Sequence, residues 1–514
     1  MRSQIWKPCS AFLSGLLVLG LSSPATALQE AFELLTRNPA DGSLPDSLYN
    51  SDYPSVTPDG RYVVFESSQA KLVTPASNGV SQIFLYDRKT NRSELVSVNA
   101  AGTPGDKASN RAAISADGCK VVFESYATNL SATDINGYKD VYLRDRCSTP
   151  PQTTLLSLGT SGEPGTYTSG NPDISADGKT VVYAFGGSKT TLEGVYLSDL
   201  QSGTAQCISI SEATGKCGAA GNPSISADGS RVAFYAYSPL LKSDTNGVWD
   251  IYLYDKKASP SLSIVSVSSS GQPRDQGNES TSRIVEPVIS ADGRYVAFAT
   301  TSSVLVANDS NGLQDVFVKD TQTGKMTLAS VSSSGLQGDG DSPAGQGERP
   351  SLSADGSWVV FSTSAKNLAP RSGGSSNVVA HNNLTGESVD FFTTPRFGVG
   401  SRPAISGDAQ GRFVAFFASD KLDTRFDSAG VFLHDRTTQC LLNWAESSYA
   451  AQLAPAGGAT QIAFPYTYRY YAQTQAYLGT SNADDHVYYL GPATGNVGRD
   501  LGAAAGFLQA AGCR

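Results

Sequence analysis

The amino-acid sequence predicts an all-β fold, a β-propeller of eight four-stranded blades or of seven blades with an irregular C-terminal appendage. Three observations predict it. A Pro-Asp-Gly or Ala-Asp-Gly turn followed by an alternating apolar strand recurs along the chain. The recurrences lie one small sheet apart, and no helix-length amphipathic stretch separates the strands.

The first copy of the turn is Pro58-Asp59-Gly60, leading into Tyr62-Val63-Val64-Phe65. It returns at Asp117, Asp177, Asp228, Asp292 and Asp355, with spacings of 58, 60, 51, 64 and 63 residues, and a looser copy runs from Ile405 to Phe416. Each unit reads as a short strand, an Asp-Gly turn, a returning strand, a variable loop, a third strand, a tight turn and a fourth strand. Asp-Gly and Thr-Gly between alternating segments are hairpin signals. One small sheet cannot bury both faces, so the sheets must stack, and closing them into a ring protects their edges. Ala454 to Phe464 reads as a worn eighth copy, with a third strand at His486 to Leu490. Residues 32–37 resemble a fourth strand, which predicts that the N-terminal segment completes the last blade.

The chain opens with Arg2 and Lys7, an apolar run from Ala11 to Leu21 and Ala25-Thr26-Ala27. That pattern predicts a signal peptide over residues 1–27, export to the periplasm or medium, and a single propeller domain over residues 28–514. No other run is long enough for an integral membrane segment. Loss of Arg2 and Lys7 takes the 38 basic residues to 36 against 47 acidic ones, a formal net charge of −11. An acidic surface without a basic cluster excludes nucleic acid as the expected partner.

The turn repeats resemble the TolB-like (PD40, WD40-like) exported propeller family, from Pro58 to about Phe416 and more weakly to Leu490. The resemblance implies a blade type. Its members include scaffolds, binding proteins and non-catalytic domains of peptidases, so no single role follows. An α/β-hydrolase segment after the propeller and the separate N-terminal domain of TolB itself have no counterpart in the sequence.

Six cysteines follow the signal peptide, and an oxidising compartment allows them to pair. Their positions predict Cys119–Cys147 within one blade, Cys207–Cys217 across a connection, and Cys440–Cys513 pinning the tail. CxxC spacing for a structural zinc site is absent. The three histidines, His381, His434 and His486, lack a nucleophile elbow near them, and His381 and His434 stand where Tyr86 and Tyr254 stand in other units. A residue repeated in every unit, such as the turn aspartate, sets a turn. A catalytic pair should be singular, and no acidic pair stands out.

Three loops between second and third strands share Asp-x-Asn-Gly-x-x-Asp: Asp134, Asn136 and Asp140; Asp244, Asn246 and Asp250; Asp309, Asn311 and Asp315. Their oxygens resemble half of a calcium loop without the distal glutamate, and they equally suit an Asx-capped turn. No cofactor is required, and calcium is the one metal with a candidate ligand set. The residue before the first-strand proline forms a second column: Tyr53, Arg111, Asn171, Asn222, Glu286, Arg349 and Arg402, with Ala112 replacing proline once. This column should ring the channel mouth on the variable-loop face. The sequence therefore predicts a non-catalytic exported binding or scaffold propeller. A protein or peptide is favoured as partner over a polar glycan, and a secreted glycosidase or lyase is the alternative.

Overall fold

The computed structural model describes residues 32–36, 51–74, 76–159, 162–188, 193–275, 285–343, 348–368, 377–390, 400–408, 411–418 and 430–436. It also describes the backbone of three strands farther on, at 459–464, 477–480 and 487–492. Seven four-stranded antiparallel sheets follow one another as blades 1 to 7, beginning at residues 51, 109, 170, 220, 285, 351 and 400. Among the described residues no helix is long and apolar enough to cross a membrane.

The blade count corrects the eight-blade expectation in favour of seven blades with an appendage. Ala459–Phe464 pairs with Val487–Pro492, which pairs in turn with Tyr477–Thr480, in a three-stranded sheet of its own. Phe32–Leu34 is hydrogen-bonded to Gly430–Asp435 of blade 7 and not to those strands. The physical reason lies in blade 7, whose own segment supplies, among the described residues, the three strands Gly400–Ile405, Phe413–Ala418 and Gly430–Asp435. Its free edge takes the N-terminal strand, and the backbone N–H of Leu35 continues the ladder to Val431 O at 3.0 Å. Leu35, Val63, Phe65, Phe84, Phe413 and Val431 then form one buried cluster joining blade 7 to blade 1.

The period-two alternation of each strand sends alternate residues to opposite faces, so every blade presents apolar side chains to both neighbours. Blades 1 and 2 share Val64, Leu85, Val121 and Phe123, and blades 4 and 5 share Ala233, Ile251, Val296 and Phe317. Cross-strand aromatic pairs such as Phe65 with Phe84 and Phe298 with Phe317 sit in register with ring centroids 6.0 and 6.1 Å apart.

The repeated turn aspartate does the work expected of it. Asp177 Oδ1 accepts the Ser175 hydroxyl at 2.7 Å and the Lys179 amide at 3.0 Å, and Ser175 Oγ accepts the Thr180 amide at 3.0 Å. The same triad recurs around Asp117, Asp228, Asp292 and Asp355. The adjoining backbone links blades, with the amides of Ala116 and Ala176 donating to Ala176 O and Ala227 O. The glycine after each aspartate has positive φ, 65° at Gly178, where a side chain would be strained.

Candidate functional site

The first strand of each blade starts at the mouth end of the channel and stops at the Asp-Gly turn. In six of the blades its pairing slips by a bulge, between Asp52 and Ser55 in blade 1 and between Asn110 and Ala113 in blade 2. The column residue occupies the bulge. Tyr53, Arg111, Asn171, Asn222 and Arg402 have φ of 46°, 50°, 52°, 47° and 51°. Left-handed backbone is unfavourable for tyrosine and arginine by about 1–2 kcal/mol each. All seven column residues, with Glu286 and Arg349 completing the set, line one cavity of about 140 Å³ on the channel axis.

A bulged amide loses its partner across the sheet, and carboxylates receive it. Glu66 Oε2 accepts the Arg111 amide from the next blade at 3.1 Å, and Glu124 Oε2 accepts that of Asn171 at 2.8 Å. Asp52 accepts the Tyr53 amide at 2.9 Å, and Glu348 accepts that of Arg402. Burial, with the Glu124 charge adding to it, pushes Glu66 up to about 7, and burial does the same to Glu348. Lys139 Nζ lies 2.8 Å from Glu124 Oε1. Asp173, in the first strand of blade 3, is half-buried and raised by desolvation; the charge of Arg349 and the amides of Ile174 and Ile225 oppose the rise.

The ring itself is asymmetric. Arg111 Nη1 reaches both oxygens of Glu286 at 2.9 and 3.1 Å and Asn171 Oδ1 at 2.9 Å. Blades 2 and 5 are as far apart as two blades of a seven-membered ring can be, so this ion pair bars the channel. Burial opposes the charge on Arg111, yet Glu286 and Tyr53 outweigh it and raise its pKa. Tyr53 is covered by two guanidinium groups, Arg402 at 4.1 Å and Arg111 at 5.0 Å from the ring centroid. Arg402 also pairs with Asp52, and its Nε is buried with no hydrogen-bond partner. Arg349 is exposed in the mouth and makes no hydrogen bond or ion pair among the described residues.

The Asp-x-Asn-Gly-x-x-Asp loops lie at the mouth end of their blades, outside the ring. Asn136 Nδ2 donates to Asp140 Oδ2 at 2.8 Å, and Asn136 Oδ1 accepts the Tyr138 amide at 2.8 Å; Asn246 does the same with Asp250 and Val248 at 2.7 and 3.2 Å. Asn311 accepts the Leu313 amide at 3.0 Å, and Tyr142 and Tyr252 donate their hydroxyls to Asp134 and Asp244. Burial pushes Asp140, Asp250 and Asp315 up to about 6 and raises Asp309. Among the described residues no three His, Cys, Asp or Glu side chains converge as a metal cage.

Cys119 is bonded to Cys147 at the turn end of blade 2, and Cys207 to Cys217 between blades 3 and 4. Cys440, Cys513 and His486 lie outside the described residues. His381 is a buried strand residue hydrogen-bonded through Nδ1 to Ser388 Oγ at 2.9 Å, with burial pushing it down to about 4.

Sequence reasoning missed the carboxylates behind the ring. Glu66 and Glu124 occupy the same place in the two Val-Val-Phe-Glu-Ser copies, and a charge there in an otherwise apolar strand was the available signal. It also missed an aromatic group on blade 4: Tyr235 stacks on Trp249 with centroids 5.8 Å apart, and Tyr237 meets both rings edge-on at 5.1 and 4.9 Å.

Seven four-stranded blades around a polar channel mouth define a β-propeller. No family model and no curated protein sequence matches the chain. Solved structures it resembles include TolB from Acinetobacter baumannii, at 16% identity over 67% of each chain with a TM-score of 0.35. An oligogalacturonate lyase in complex with manganese follows at 12% identity, 79% of this chain, 96% of that one and a TM-score of 0.45. The β-propeller domain of the trilobed protease from Pyrococcus furiosus stands at 11%, 75%, 95% and 0.44. TolB proteins are thus among the neighbours, as the turn motifs imply. At these scores the likenesses carry no argument about activity or partner.

Proposed function

We propose that this chain is an exported, non-catalytic binding propeller that receives a protein or peptide at its channel mouth. The observation that carries the reading is the left-handed column. Tyr53, Arg111 and Arg402 hold a backbone conformation that glycine would adopt without strain, and each aims a large polar side chain into the same cavity. Strain retained at a cavity lined by such groups supports recognition there. Tyrosine and arginine also dominate the energetics of protein interfaces. Export draws its support from the leader-like start and the two cystine bridges.

The enzyme alternative needs two convergent carboxylates. Glu286 is the one carboxylate lining the cavity among the described residues, and Arg111 engages both of its oxygens. That favours binding over hydrolysis. The test is capture of a partner from an extracytoplasmic fraction, followed by calorimetry with the purified partner. The Arg349→Ala/Arg402→Ala double variant should bind at least about tenfold more weakly, the loss of one or two charge-assisted hydrogen bonds. Arg402→Ala strands Asp52, so melting curves accompany the measurement. Unchanged affinity in a folded double variant would remove the ring from the site.

A further inference from the structure

The mouth holds three arginines, and their partners differ. Arg111 is held by Glu286 and Asn171, and Arg402 by Asp52. Arg349, one blade from Arg402, is exposed with neither a hydrogen bond nor an ion pair among the described residues, and Arg402 Nε is buried without a partner. Of these neighbouring guanidinium groups, Arg349 offers its donors to the cavity, and Arg402 lines the cavity beside it. Of the nearby acids Glu286 alone lines the cavity among the described residues, against the three arginines. A lining with that excess of guanidinium groups suits an anionic group.

Planar guanidinium donors match the two oxygens of a carboxylate. A cavity of about 140 Å³ admits the end of a chain, not a folded surface. The Arg111–Glu286 pair crosses the channel between opposite blades, so a chain cannot thread past it and must enter end first.

We propose that the mouth captures the free C-terminal carboxylate of an extended peptide, with Arg349 as the anchor and Arg402 beside it. The proposal rests on the peptide-binding reading above and names the group that the site recognises. The upstream residues of the peptide leave the cavity toward the variable-loop face.

The probe is a fluorescent random-sequence hexapeptide pool in three forms: free C-terminal acid, C-terminal amide, and amide with glutamate at the last position. Retention is measured on the immobilised full chain and on Arg349→Ala and Arg349→Lys. The free-acid pool should be retained at least about tenfold over both amidated pools, with that excess lost in Arg349→Ala and partly restored in Arg349→Lys. The Arg349 charge stabilises the Asp173 carboxylate, so melting curves accompany both variants, and Arg349→Lys, which keeps the charge, is the stability control. Equal retention of free-acid and amidated pools overturns the carboxylate anchor and leaves peptide binding standing. Preference for the glutamate amide pool moves recognition to an acidic side chain and overturns the terminus. Retention of no pool overturns the peptide reading itself.

Discussion

At the turn end of blades 1 and 5, Asp87 and Asp320 each receive two hydrogen bonds from one arginine. Arg61 reaches Asp87 at 3.0 and 3.0 Å, and Arg294 reaches Asp320 at 3.0 and 2.6 Å. Those guanidinium groups hold both carboxyls below the usual range. At the mouth end of blades 1 and 6, half-buried Glu66 and buried Glu348 stand behind the ring and are pushed up to about 7 by desolvation. The turn end of the ring thus carries ion-paired acids and the mouth end desolvated ones. The turn end repeats because its residues satisfy the backbone in every blade. The mouth end varies, and it stores strain and unpaired charge around a cavity.

The largest expected effect is on pH-dependent stability. An acid whose folded pKa is raised stabilises the fold below its unfolded value, and that contribution is lost as pH rises through the folded pKa. Glu66 and Glu348 should therefore withdraw stability between pH 4.5 and about 7, joined by Asp140, Asp250 and Asp315 near 6. The ceiling is about 3 kcal/mol for each glutamate. Asp87 and Asp320 act with the opposite sign, contributing above the unfolded pKa and losing that contribution only as pH falls below about 4. The melting temperature should peak near pH 5 and fall by several degrees at pH 8 under constant ionic strength. Glu66→Gln should flatten that fall and melt above the wild type at pH 8. A melting temperature that rises or stays level from pH 5 to 8 would dissolve the contrast between the two ends.

A smaller effect sharpens the same contrast by single substitutions. Asp292→Ala removes the acceptor for the Ser290 hydroxyl and the Arg294 amide and should cost about 1–2 kcal/mol by denaturant melts. Asn222→Gly at the mouth exchanges a left-handed asparagine for the residue that tolerates φ of 47° and should stay within about 0.5 kcal/mol of the wild type. Asn222→Val should cost more than about 1 kcal/mol, because a β-branched side chain resists that conformation. Equal stability for Asn222→Gly and Asn222→Val would mean that the bulge is not strained.

Much of this was legible because it repeats. The Asp-Gly turns fixed the blade type, and the residue before each first-strand proline placed all seven ring positions without coordinates. The last blade was less legible. Alternation identifies a strand in Ala459–Phe464, but backbone pairing decides which sheet the strand joins, and the vacant edge of blade 7 went to Phe32–Leu34. The partners of the ring were hidden for a related reason. Arg111 finds Glu66 45 residues away on the adjacent blade and Glu286 175 residues away across the ring, contacts that blade stacking and ring curvature create.

The smallest effect concerns calcium at the Asp-x-Asn-Gly-x-x-Asp loops, where hydrogen bonding and metal binding compete for the same oxygens. Asp134 Oδ1, Asp244 Oδ1 and Asp315 Oδ2 are buried without a hydrogen-bond partner, and a cation would satisfy them. Against that, Asn136 and Asn246 turn their amide nitrogens toward Asp140 and Asp250 and engage their carbonyl oxygens with backbone amides. A metal must turn those amides round and break two hydrogen bonds per loop, which limits affinity to about 10⁻⁴–10⁻³ M, the range of weak extracellular modules. At a few millimolar calcium the gain is about 1 kcal/mol per site, or roughly a degree or two in melting temperature for a chain this size. Magnesium should give less, since these irregular oxygens do not form an octahedron. Asp134→Asn, Asp244→Asn and Asp309→Asn together should abolish the increment. A melting curve that does not move between chelator and 5 mM calcium, in a titration without heat, makes all three loops hydrogen-bonded turns and leaves the channel mouth as the only ligand site proposed.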